Sequence, residues 1–255
     1  MRPAQPNQSL IDGLACLQAL TSHGEPIGSR ELGRMLGLES TRANRLLKTL
    51  AYVGLAQQDA SRRYFPGPGV HVLAAQSMRG SGLVRRAFGP LEALASGGLH
   101  VSMGVLWRDQ VCYLYHTSDE LHGANIGGAP LFPAARSGIG HVLLAAQDDD
   151  AIRAVFDGSS PRADAVADLP ASPPELGRLL DEIHAVRTQG FAVVATSDED
   201  RTVAVALESD AAAIGVFGTF DDDEIPALVR RIHETARQID HAGAADPSPT
   251  LEAHA

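Results

Sequence analysis

The stretch Gly37-Leu38-Glu39-Ser40-Thr41-Arg42-Ala43-Asn44-Arg45-Leu46-Leu47-Lys48-Thr49-Leu50 decides the fold of the amino-terminal part of this chain. At 100° per residue, residues 40–53 form a helix with two contrasting faces. The apolar face consists of Ala43, Leu46, Leu47, Leu50 and Val53. The opposite face consists of Thr41, Asn44, Arg45, Lys48 and Tyr52. The pattern predicts that the first face packs inward and that the second is available to a partner.

A shorter helix precedes this one and begins at Ser29. Its apolar residues Leu32, Met35 and Leu36 provide a surface for the apolar face of the longer helix. Gly37 permits a left-handed backbone turn between the two helices. The order of helix, glycine turn and helix predicts a helix-turn-helix, in which the second helix enters the major groove of DNA.

The polar residues of this unit suit contacts with a DNA duplex. Arg42 or Arg45 would grip guanine O6 and N7, and Asn44 would pair with adenine. Lys48, one turn further along, suits a phosphate, and the hydroxyls at the start of the helix suit phosphate or base. The predicted DNA contacts are Ser29, Arg30, Ser40, Thr41, Arg42, Asn44, Arg45, Lys48, Arg62 and Arg63.

A basic hairpin follows the second helix. Residues 55–58 and 62–65 are predicted to form two short strands around a polar turn at residues 59–61. Arg62 and Arg63 would meet a phosphate backbone or a minor groove, which makes the unit a winged helix-turn-helix. The alternative is that the cations are only the solvated face of an ordinary amphipathic helix. The ordered combination of helix, turn, helix and basic hairpin favours DNA binding.

The distribution of charge supports the same interpretation. Residues 1–65 contain eight basic and five acidic side chains, a balance of +3. The remaining residues contain 13 basic and 26 acidic side chains, a balance of −13, which together give the net charge of −10. Because nucleic acid is bound by neutralising phosphates, only the first segment is electrostatically suited to it.

The composition limits the remaining function classes. The 255 residues and the charge asymmetry favour two domains. No apolar stretch of transmembrane length and no leader pattern is found, so the sequence predicts a cytoplasmic protein without a membrane partner. Cys16 and Cys112 are predicted to be small buried apolar residues without a chemical role. No spacing of cysteines and histidines resembles a metal site. No cofactor is predicted.

Periodicity predicts the rest of the fold. A first helix is expected at residues 8–22, and a linker helix at residues 70–78 follows the wing. Further on, helical and β-rich segments predict an α+β domain with an antiparallel sheet of about five or six strands flanked by helices. The predicted organisation is an all-α winged helix-turn-helix domain at 1–68, a linker helix at 69–80, an α+β domain at 81–242 and a disordered tail at 243–255. The inward stripe of the first helix would be Leu10, Ile11, Leu14, Leu17 and Leu20. Residues 157–174 are expected to be irregular.

With these elements in order, the chain resembles the IclR family of bacterial transcriptional regulators. The stretch quoted above is similar to the family's sequence motif, which contains Gly-Leu, Ser-Thr and Arg-Leu-Leu. Pro130-Leu131-Phe132-Pro133-Ala134-Ala135-Arg136-Ser137-Gly138-Ile139-Gly140-His141 is similar to its Leu-Pro, spacer and Gly-Lys stretch. The resemblance implies a GAF-like effector-binding domain, a homodimer or homotetramer, and control of transcription by a small molecule.

The resemblance also implies where an effector would bind, although this chain departs from the family there. Arg201 stands where the family has a glycine, and the strand with Gly215 and Phe217 lacks the family's hydroxyls. A pocket built from these residues would be smaller or more apolar than one made for a short organic acid. The candidate effector contacts are Leu131, Phe132, Ala135, Ser137, Gly138, Ile139, His141, Thr202, Ala204, Gly215 and Phe217.

No motif for catalysis is found. His116, His141 and His184 lie near predicted pocket elements, but none belongs to a nucleophile elbow or a metal-binding motif. His141 would serve as a polar pocket residue, and Trp107 would line the pocket or pack in the core. The sequence therefore predicts a metabolite-responsive regulator that binds a near-palindromic double-stranded operator. The alternatives are a winged-helix protein-interaction module and an enzyme with an accessory DNA-binding domain.

Overall fold

The computed structural model of the protein describes residues 6–96, 98–118, 123–126, 130–156, 176–197, 199–209 and 211–245. The chain divides into two compact units, with the first reaching Arg79 and the second starting at Gly80. The expected irregular segment at 157–174 lies outside the described residues. The same is true of residues 246–255 of the expected tail, whereas residues 243–245 continue a helix.

The first unit is a winged helix-turn-helix. Its helices are α1 (Gln8–His23), α2 (Ser29–Met35) and α3 (Ser40–Tyr52), and the wing consists of the antiparallel strands β1 (Ala56–Gln58) and β2 (Tyr64–Pro66). Gly37 has a φ of 64°, so the left-handed turn between α2 and α3 is confirmed. A Cβ at Gly33 would lie 2.9 Å from the Leu38 carbonyl oxygen, which explains why α2 meets this turn through a glycine. The core of the unit contains Cys16, Leu20, Ile27, Leu32, Leu47 and Tyr64.

The predicted inward stripe of α1 is partly wrong. Leu10 and Leu14 are 60% and 49% exposed, whereas Cys16 and Ala19 are buried. The helix is turned so that Asp12 faces the protein, because its carboxylate binds Arg42 of α3. An ion pair between helices thus outweighs the choice of face that hydropathy alone predicts.

The helix α4 (Pro68–Ser81) follows the wing and is longer than the predicted linker helix. None of its residues is buried, and the apolar side chains of Val72 and Leu73 are exposed. Most helical stability in proteins comes from packing of an apolar face. Contacts within its own chain therefore stabilise α4 only weakly.

The second unit is an α+β domain built on an antiparallel sheet, and this part of the prediction is confirmed. The strands are β3 (His100–Trp107), β4 (Gln110–Ser118), β5 (Gly123–Asn125), β6 (Phe132–Pro133), β7 (Ala192–Ala195), β8 (Arg201–Ala206) and β9 (Ala212–Gly218). Their order is β5-β4-β3-β9-β8-β7, with β6 paired to β4, and all pairs are antiparallel. The helices are α5 (Leu83–Ala95), α6 (Gly138–Ala145), α7 (Asp149–Phe156), α8 (Leu176–Gln189) and α9 (Ile225–Ala245).

Each face of this sheet carries its own core. Helices α5 and α9 cover one face, where Leu91 and Ile232 pack with strand residues such as Val203 and Ile214. Helices α6 and α8 cover the other face, where Ile139 and Ile183 pack with Ala204 and Ala213. The small strand residues on the second face let α6 approach closely, and this face holds most of the candidate effector residues.

Candidate nucleic-acid interface and effector region

Helix α3 and the wing enclose a polar cleft in the first unit. It is lined by Gly28, Ser29, Arg30, Ser40, Thr41, Asn44, Lys48, Gln58, Ser61, Arg62 and Arg63. Eight of the ten predicted DNA contacts therefore lie together, although they come from α2, α3 and the hairpin. The lining contains four cations and no acidic residue, so the cleft is suited to a phosphate backbone.

The wing is fixed in place by backbone pairing and by Arg63. Ile27 and Tyr64 exchange two backbone hydrogen bonds of 2.8 Å, which ties the hairpin to the segment before α2. The Arg63 guanidinium donates to the Pro26 carbonyl at 2.6 Å and lies 3.5 Å from the Glu31 carboxylate. Part of the hydrogen-bonding capacity of Arg63 is therefore used within the protein.

Arg62 occupies the turn of the hairpin rather than the predicted strand. Its φ is 61°, and its amide donates to the Asp59 carbonyl at 3.0 Å. A left-handed residue at this position matches a hairpin loop that ends in a bulge, and it leaves the side chain exposed. Gln58 binds the Arg62 carbonyl and stabilises the same turn.

The orientation of Asn44 is set by a residue that sequence reasoning did not assign to the site. The hydroxyl of buried Tyr64 donates to Asn44 Oδ1 across 3.4 Å. This hydrogen bond ties the side-chain oxygen of Asn44, which lines the cleft, to the wing. The contact between a tyrosine of the wing and α3 leaves no local signal in the sequence. Gln58 and Ser61, in contrast, could have been found as polar neighbours of the turn.

Arg45 lies in a groove next to the cleft, on the exposed side of α3. The groove is lined by Thr41, Asn44, Arg45, Lys48, Thr49 and Tyr52. Tyr52 is 90% exposed, as the helical pattern predicts for this face. Arg45 has no ion pair within the described part of the chain, so its guanidinium is available for a ligand.

Arg42 departs from the predicted arrangement. Its guanidinium forms an ion pair of 2.6 Å with Asp12 of α1, and the Asp12 carboxylate also accepts a 2.7 Å hydrogen bond from Gln8. Arg42 lines neither the cleft nor the adjoining groove. The hydropathy pattern places position 42 at the border of the exposed face, and the tertiary ion pair turns it inward.

The candidate effector residues lie around the start of α6 and on the facing strands, but several of them pack directly against one another and leave no space between them. A Cβ at Gly138 would lie 2.9 Å from Thr202 Cγ2, and one at Gly215 would lie 2.9 Å from the Val203 carbonyl oxygen. Ser137 caps α6 by accepting from the Gly140 amide. Packing between α6 and the sheet is therefore the role that the structure displays for these positions, with Ile139 and Ala204 in the same core.

Phe217 belongs to a stack of three aromatic rings. Its ring lies between His100, at a centroid distance of 4.9 Å, and His116, at 5.2 Å. Burial lowers the pKa of His116, and the neighbouring His100 lowers it further, so His116 favours its neutral form. On this strand, where the resemblance to the family predicts hydroxyl side chains, Phe217 fills the space with its ring.

The other predicted pocket residues are divided between two places. Leu131 and Phe132 are half-buried at β6. His141 is 3% exposed, and its Nε2 lies 3.0 Å from the Ala135 carbonyl oxygen. Trp107 neither lines a pocket with them nor packs in the core, because it is 46% exposed and lies under the Arg108 guanidinium.

The described residues contain no group of three or more histidine, cysteine, aspartate or glutamate side chains placed to hold a metal ion. None of their helices combines the length and hydropathy needed to cross a membrane.

Comparison with known families gives the same two units. The sequence matches the IclR helix-turn-helix domain over residues 9–60 and the bacterial transcriptional regulator IclR C-terminal domain over residues 75–241. The chain belongs to the IclR family. This IclR protein is accordingly a transcriptional regulator with a DNA-binding helix-turn-helix and a carboxy-terminal effector-binding domain, as the sequence predicts. A comparison with curated proteins gave no match.

Solved structures share the fold of this IclR protein at low sequence identity. A putative IclR regulator from a Silicibacter species has a TM-score of 0.74 at 20% identity, over 92% of this chain and 95% of that one. An IclR family regulator from Brucella abortus has a TM-score of 0.72 at 21% identity, over 93% of each chain. An IclR homologue from Microbacterium hydrocarbonoxydans, complexed with 4-hydroxybenzoate, has a TM-score of 0.67 at 19% identity, over 93% of this chain and all (100%) of that one.

Proposed function

We propose that this IclR protein binds a near-palindromic operator as a homo-oligomer and that a small molecule held by the second unit changes its affinity for DNA. The cleft between α3 and the wing is the observation that carries this proposal. Its lining combines cations, hydroxyls and the side-chain amides of Asn44 and Gln58 without an acidic side chain. Phosphate contacts position a protein on DNA and base contacts give the specificity, and the cleft offers groups for both.

The residues divide into two groups under this proposal. Arg45 and Asn44, on the exposed side of α3, read base edges in the major groove. Arg30, Lys48 and Arg62, at the margins of the cleft, contact phosphates. Arg42 is assigned a structural role because its guanidinium pairs with the Asp12 carboxylate.

Exposed apolar side chains support self-association of the first unit. Leu10 and Leu14 of α1 and Val72 and Leu73 of α4 are each about half-exposed or more. Apolar side chains grouped on exposed helices mark protein contacts more often than open surface. A dimer formed in this way would present two α3 helices, about 34 Å apart, to successive major grooves.

The proposal assigns no catalytic step to the chain. The functional coupling is a difference in effector affinity between two arrangements of the oligomer, since a ligand shifts an equilibrium only by its differential affinity. The 4-hydroxybenzoate bound by the Microbacterium homologue supports a small-molecule effector here without identifying it.

The test begins with selection of duplexes that the full chain binds from a random library, followed by titration of the best duplex in gel-shift assays. Arg45→Ala is expected to weaken specific binding about tenfold to hundredfold, since a bidentate base contact is worth about 1–3 kcal/mol. Arg153→Ala removes the same charge from an exposed position of the second unit and should leave the affinity unchanged. Equal affinities of Arg45→Ala and the parent protein would contradict the proposal.

The same duplex separates DNA binding from a protein-interaction role. Affinity for DNA should fall steeply with added salt, because phosphate contacts release condensed counterions. Lys48→Ala should reduce the slope of log affinity against log salt by about one. If the selection enriches no duplex, the proposal is contradicted.

A further inference from the structure

Tyr52, the last residue of α3, is the most exposed large apolar or aromatic side chain in the described part of the chain. It is 90% exposed, whereas the other exposed side chains of this kind range from 37% to 60%. An aromatic ring stabilises a folded protein when it leaves water, and this ring stays in water. The packing of the first unit therefore gives no account of Tyr52.

Tyr52 continues the line of polar residues along the exposed side of α3. At 100° per residue, positions 41, 45, 48 and 52 fall within about 60° of one another around the helix axis. Arg45 and Lys48 belong to this line, and the proposed function places both of them against DNA. The helix contains no acidic residue from Ser40 to Tyr52. The ring of Tyr52 consequently faces the same partner as the two cations.

Two grooves flank this line of residues. The cleft described above lies on the side of the wing, and the groove that contains Arg45 and Tyr52 lies on the other side. Thr41, Asn44 and Lys48 line both and form the ridge between them. A helix in the major groove lies between the two backbones of the duplex. The cleft therefore suits one backbone, and the outer groove suits the other.

The length of α3 indicates which part of the duplex Tyr52 reaches. With a rise of about 1.5 Å per residue, Tyr52 lies about 10 Å from Arg45 along the helix axis. The major groove is about 12 Å wide. When Arg45 reaches a base edge, Tyr52 therefore lies at the margin of the groove, beside the sugar-phosphate backbone.

The chemistry of Tyr52 suits a contact with this backbone. Its hydroxyl has no hydrogen-bond partner among the described residues and can donate to a phosphate oxygen. Thr49 is less suited, because its hydroxyl donates to the Arg45 carbonyl at 3.0 Å. The last turn of α3 contains no basic residue, so Tyr52 supplies the side-chain donor at this end. Its ring adds apolar surface that can pack on a deoxyribose.

We propose that Tyr52 binds the sugar-phosphate backbone of the strand opposite to the one that the wing contacts. Its hydroxyl donates to a phosphate, and its ring packs on the adjoining sugar. The two sides of α3 are then held by Arg62 of the hairpin and by Tyr52, which fixes the position of the helix in the groove. The inference rests on the proposed function and adds a contact at the far end of α3.

Gel-shift titration of the selected duplex measures this contact. Tyr52→Phe removes only the hydroxyl and should weaken binding about fivefold or more, because a hydrogen bond to a charged group is lost. Tyr52→Ala also removes the ring and should weaken binding further. Both variants should lose affinity for an unrelated duplex by about the same factor, since a backbone contact does not depend on base sequence.

The dependence on salt distinguishes Tyr52 from the cations beside it. Tyrosine carries no charge and releases no counterion, so both Tyr52 variants should keep the parental slope of log affinity against log salt. Lys48→Ala is the matched contrast on the same helix, and it should reduce the slope. A changed slope in Tyr52→Phe would show that the wing or another cation has moved, and it would overturn the inference.

Interference by ethylated phosphates locates the contact on the duplex. In the complex of the parent protein, ethylation of a phosphate on the strand opposite the wing should prevent binding. Tyr52→Phe should lose this interference and keep that of the phosphates beside the wing, whereas Arg62→Ala should show the reverse. An identical interference pattern for Tyr52→Phe and the parent protein would overturn the inference.

Val53→Ala is the control variant for the end of α3. Val53 is 56% exposed and is the next residue in the chain, but it lies about 100° away around the helix, so its affinity for DNA should be parental. Circular dichroism verifies that each variant is folded. Sedimentation velocity verifies that its oligomeric state is unchanged. Weaker binding by Tyr52→Ala together with a smaller oligomer would mean that the ring contacts a second copy, and it would overturn the inference.

The remaining outcomes separate this inference from the proposed function. Parental affinity of both Tyr52 variants for a duplex that the parent protein binds overturns the inference and leaves the proposed function intact. A loss of affinity confined to duplexes with one particular base pair would assign Tyr52 to a base edge and overturn the backbone contact. Failure of the parent protein to bind any selected duplex overturns both.

Discussion

The guanidinium of Arg42 lies 2.6 Å from the carboxylate of Asp12, and this contact joins the second helix of the helix-turn-helix to α1. The carboxylate side chain is only 9% exposed, whereas that of Arg42 is 35% exposed. A buried acid without its counterion is costly. Arg42 is therefore required as the counterion of Asp12, next to neighbours on α3 that are proposed to contact DNA.

Substitution of Arg42 is expected to act on stability. Arg42→Gln leaves the Asp12 carboxylate without a cation and should lower the free energy of unfolding by about 1–2 kcal/mol, less than for a fully buried pair because the arginine is partly solvated. Urea denaturation monitored by circular dichroism measures the loss. Arg45→Gln is the matched control on the same helix and should not change the unfolding midpoint. Equal midpoints for Arg42→Gln and the parent protein would show that the ion pair contributes nothing.

The hydroxyl of Tyr64 is expected to matter for DNA specificity. Tyr64→Phe removes the donor to Asn44 Oδ1, so the amide can rotate and the preference for one base pair at its position should decrease by a few-fold. The measurement compares the affinity of the selected duplex with that of duplexes changed at single base pairs. Affinity for non-specific DNA is the internal control. An unchanged preference would mean that the 3.4 Å contact does not orient Asn44.

Cys16 is expected to be inert towards thiol reagents in the native protein. Burial raises its pKa to about 11, and the charge of Asp12 adds to the effect. At pH about 8 only about one thiol in a thousand is then ionised, and the thiolate is the reactive form. A Cys112→Ser variant isolates Cys16, and its absorbance-monitored reaction with a disulfide reagent should be slow until denaturant is added. Rapid native-state reaction would contradict the burial of this thiol.

The helix-turn-helix could be predicted from the sequence because its determinants are local. Helical periodicity in residues 40–53 and the glycine at position 37 suffice to define α3 and the turn before it, and Leu47 and Leu50 are buried as expected. The order of the α+β elements follows in the same way, since the apolar stripes of α8 and α9 are strong. These features depend on spacing along the chain and not on contacts between distant residues.

The remaining features depend on contacts that spacing does not contain. Hydropathy favours Leu10 and Leu14 as the inward side of α1, but the pairing of Asp12 with Arg42 selects another face. The stack of Phe217 between two histidines arises because β3, β4 and β9 are neighbours in the sheet, which the strand pattern alone does not specify.

Arg187 should stabilise the second unit in a manner that depends on pH. Its guanidinium binds the Asp149 carboxylate at 2.7 Å, the carbonyl of Ala145 at the end of α6 and the carbonyl of Gln147. The hydrogen bond from Arg187, followed by that from His184, holds the pKa of Asp149 below its ordinary value of 3.8. A carboxyl whose pKa is lower in the folded state adds stability above its unfolded pKa and loses it as the pH falls through the folded value.

Arg187→Ala is therefore expected to lower the urea midpoint more at pH about 7 than at a pH below the lowered folded pKa of Asp149, where the carboxyl is protonated and only the carbonyl contacts are lost. Nuclear magnetic resonance titration of the Asp149 carboxyl carbon should show its pKa rise towards the ordinary value in the variant. Arg153→Ala, an exposed arginine on α7, is the control and should show no such difference. An equal midpoint loss at both pH values would mean that Arg187 acts only through the carbonyls that it caps.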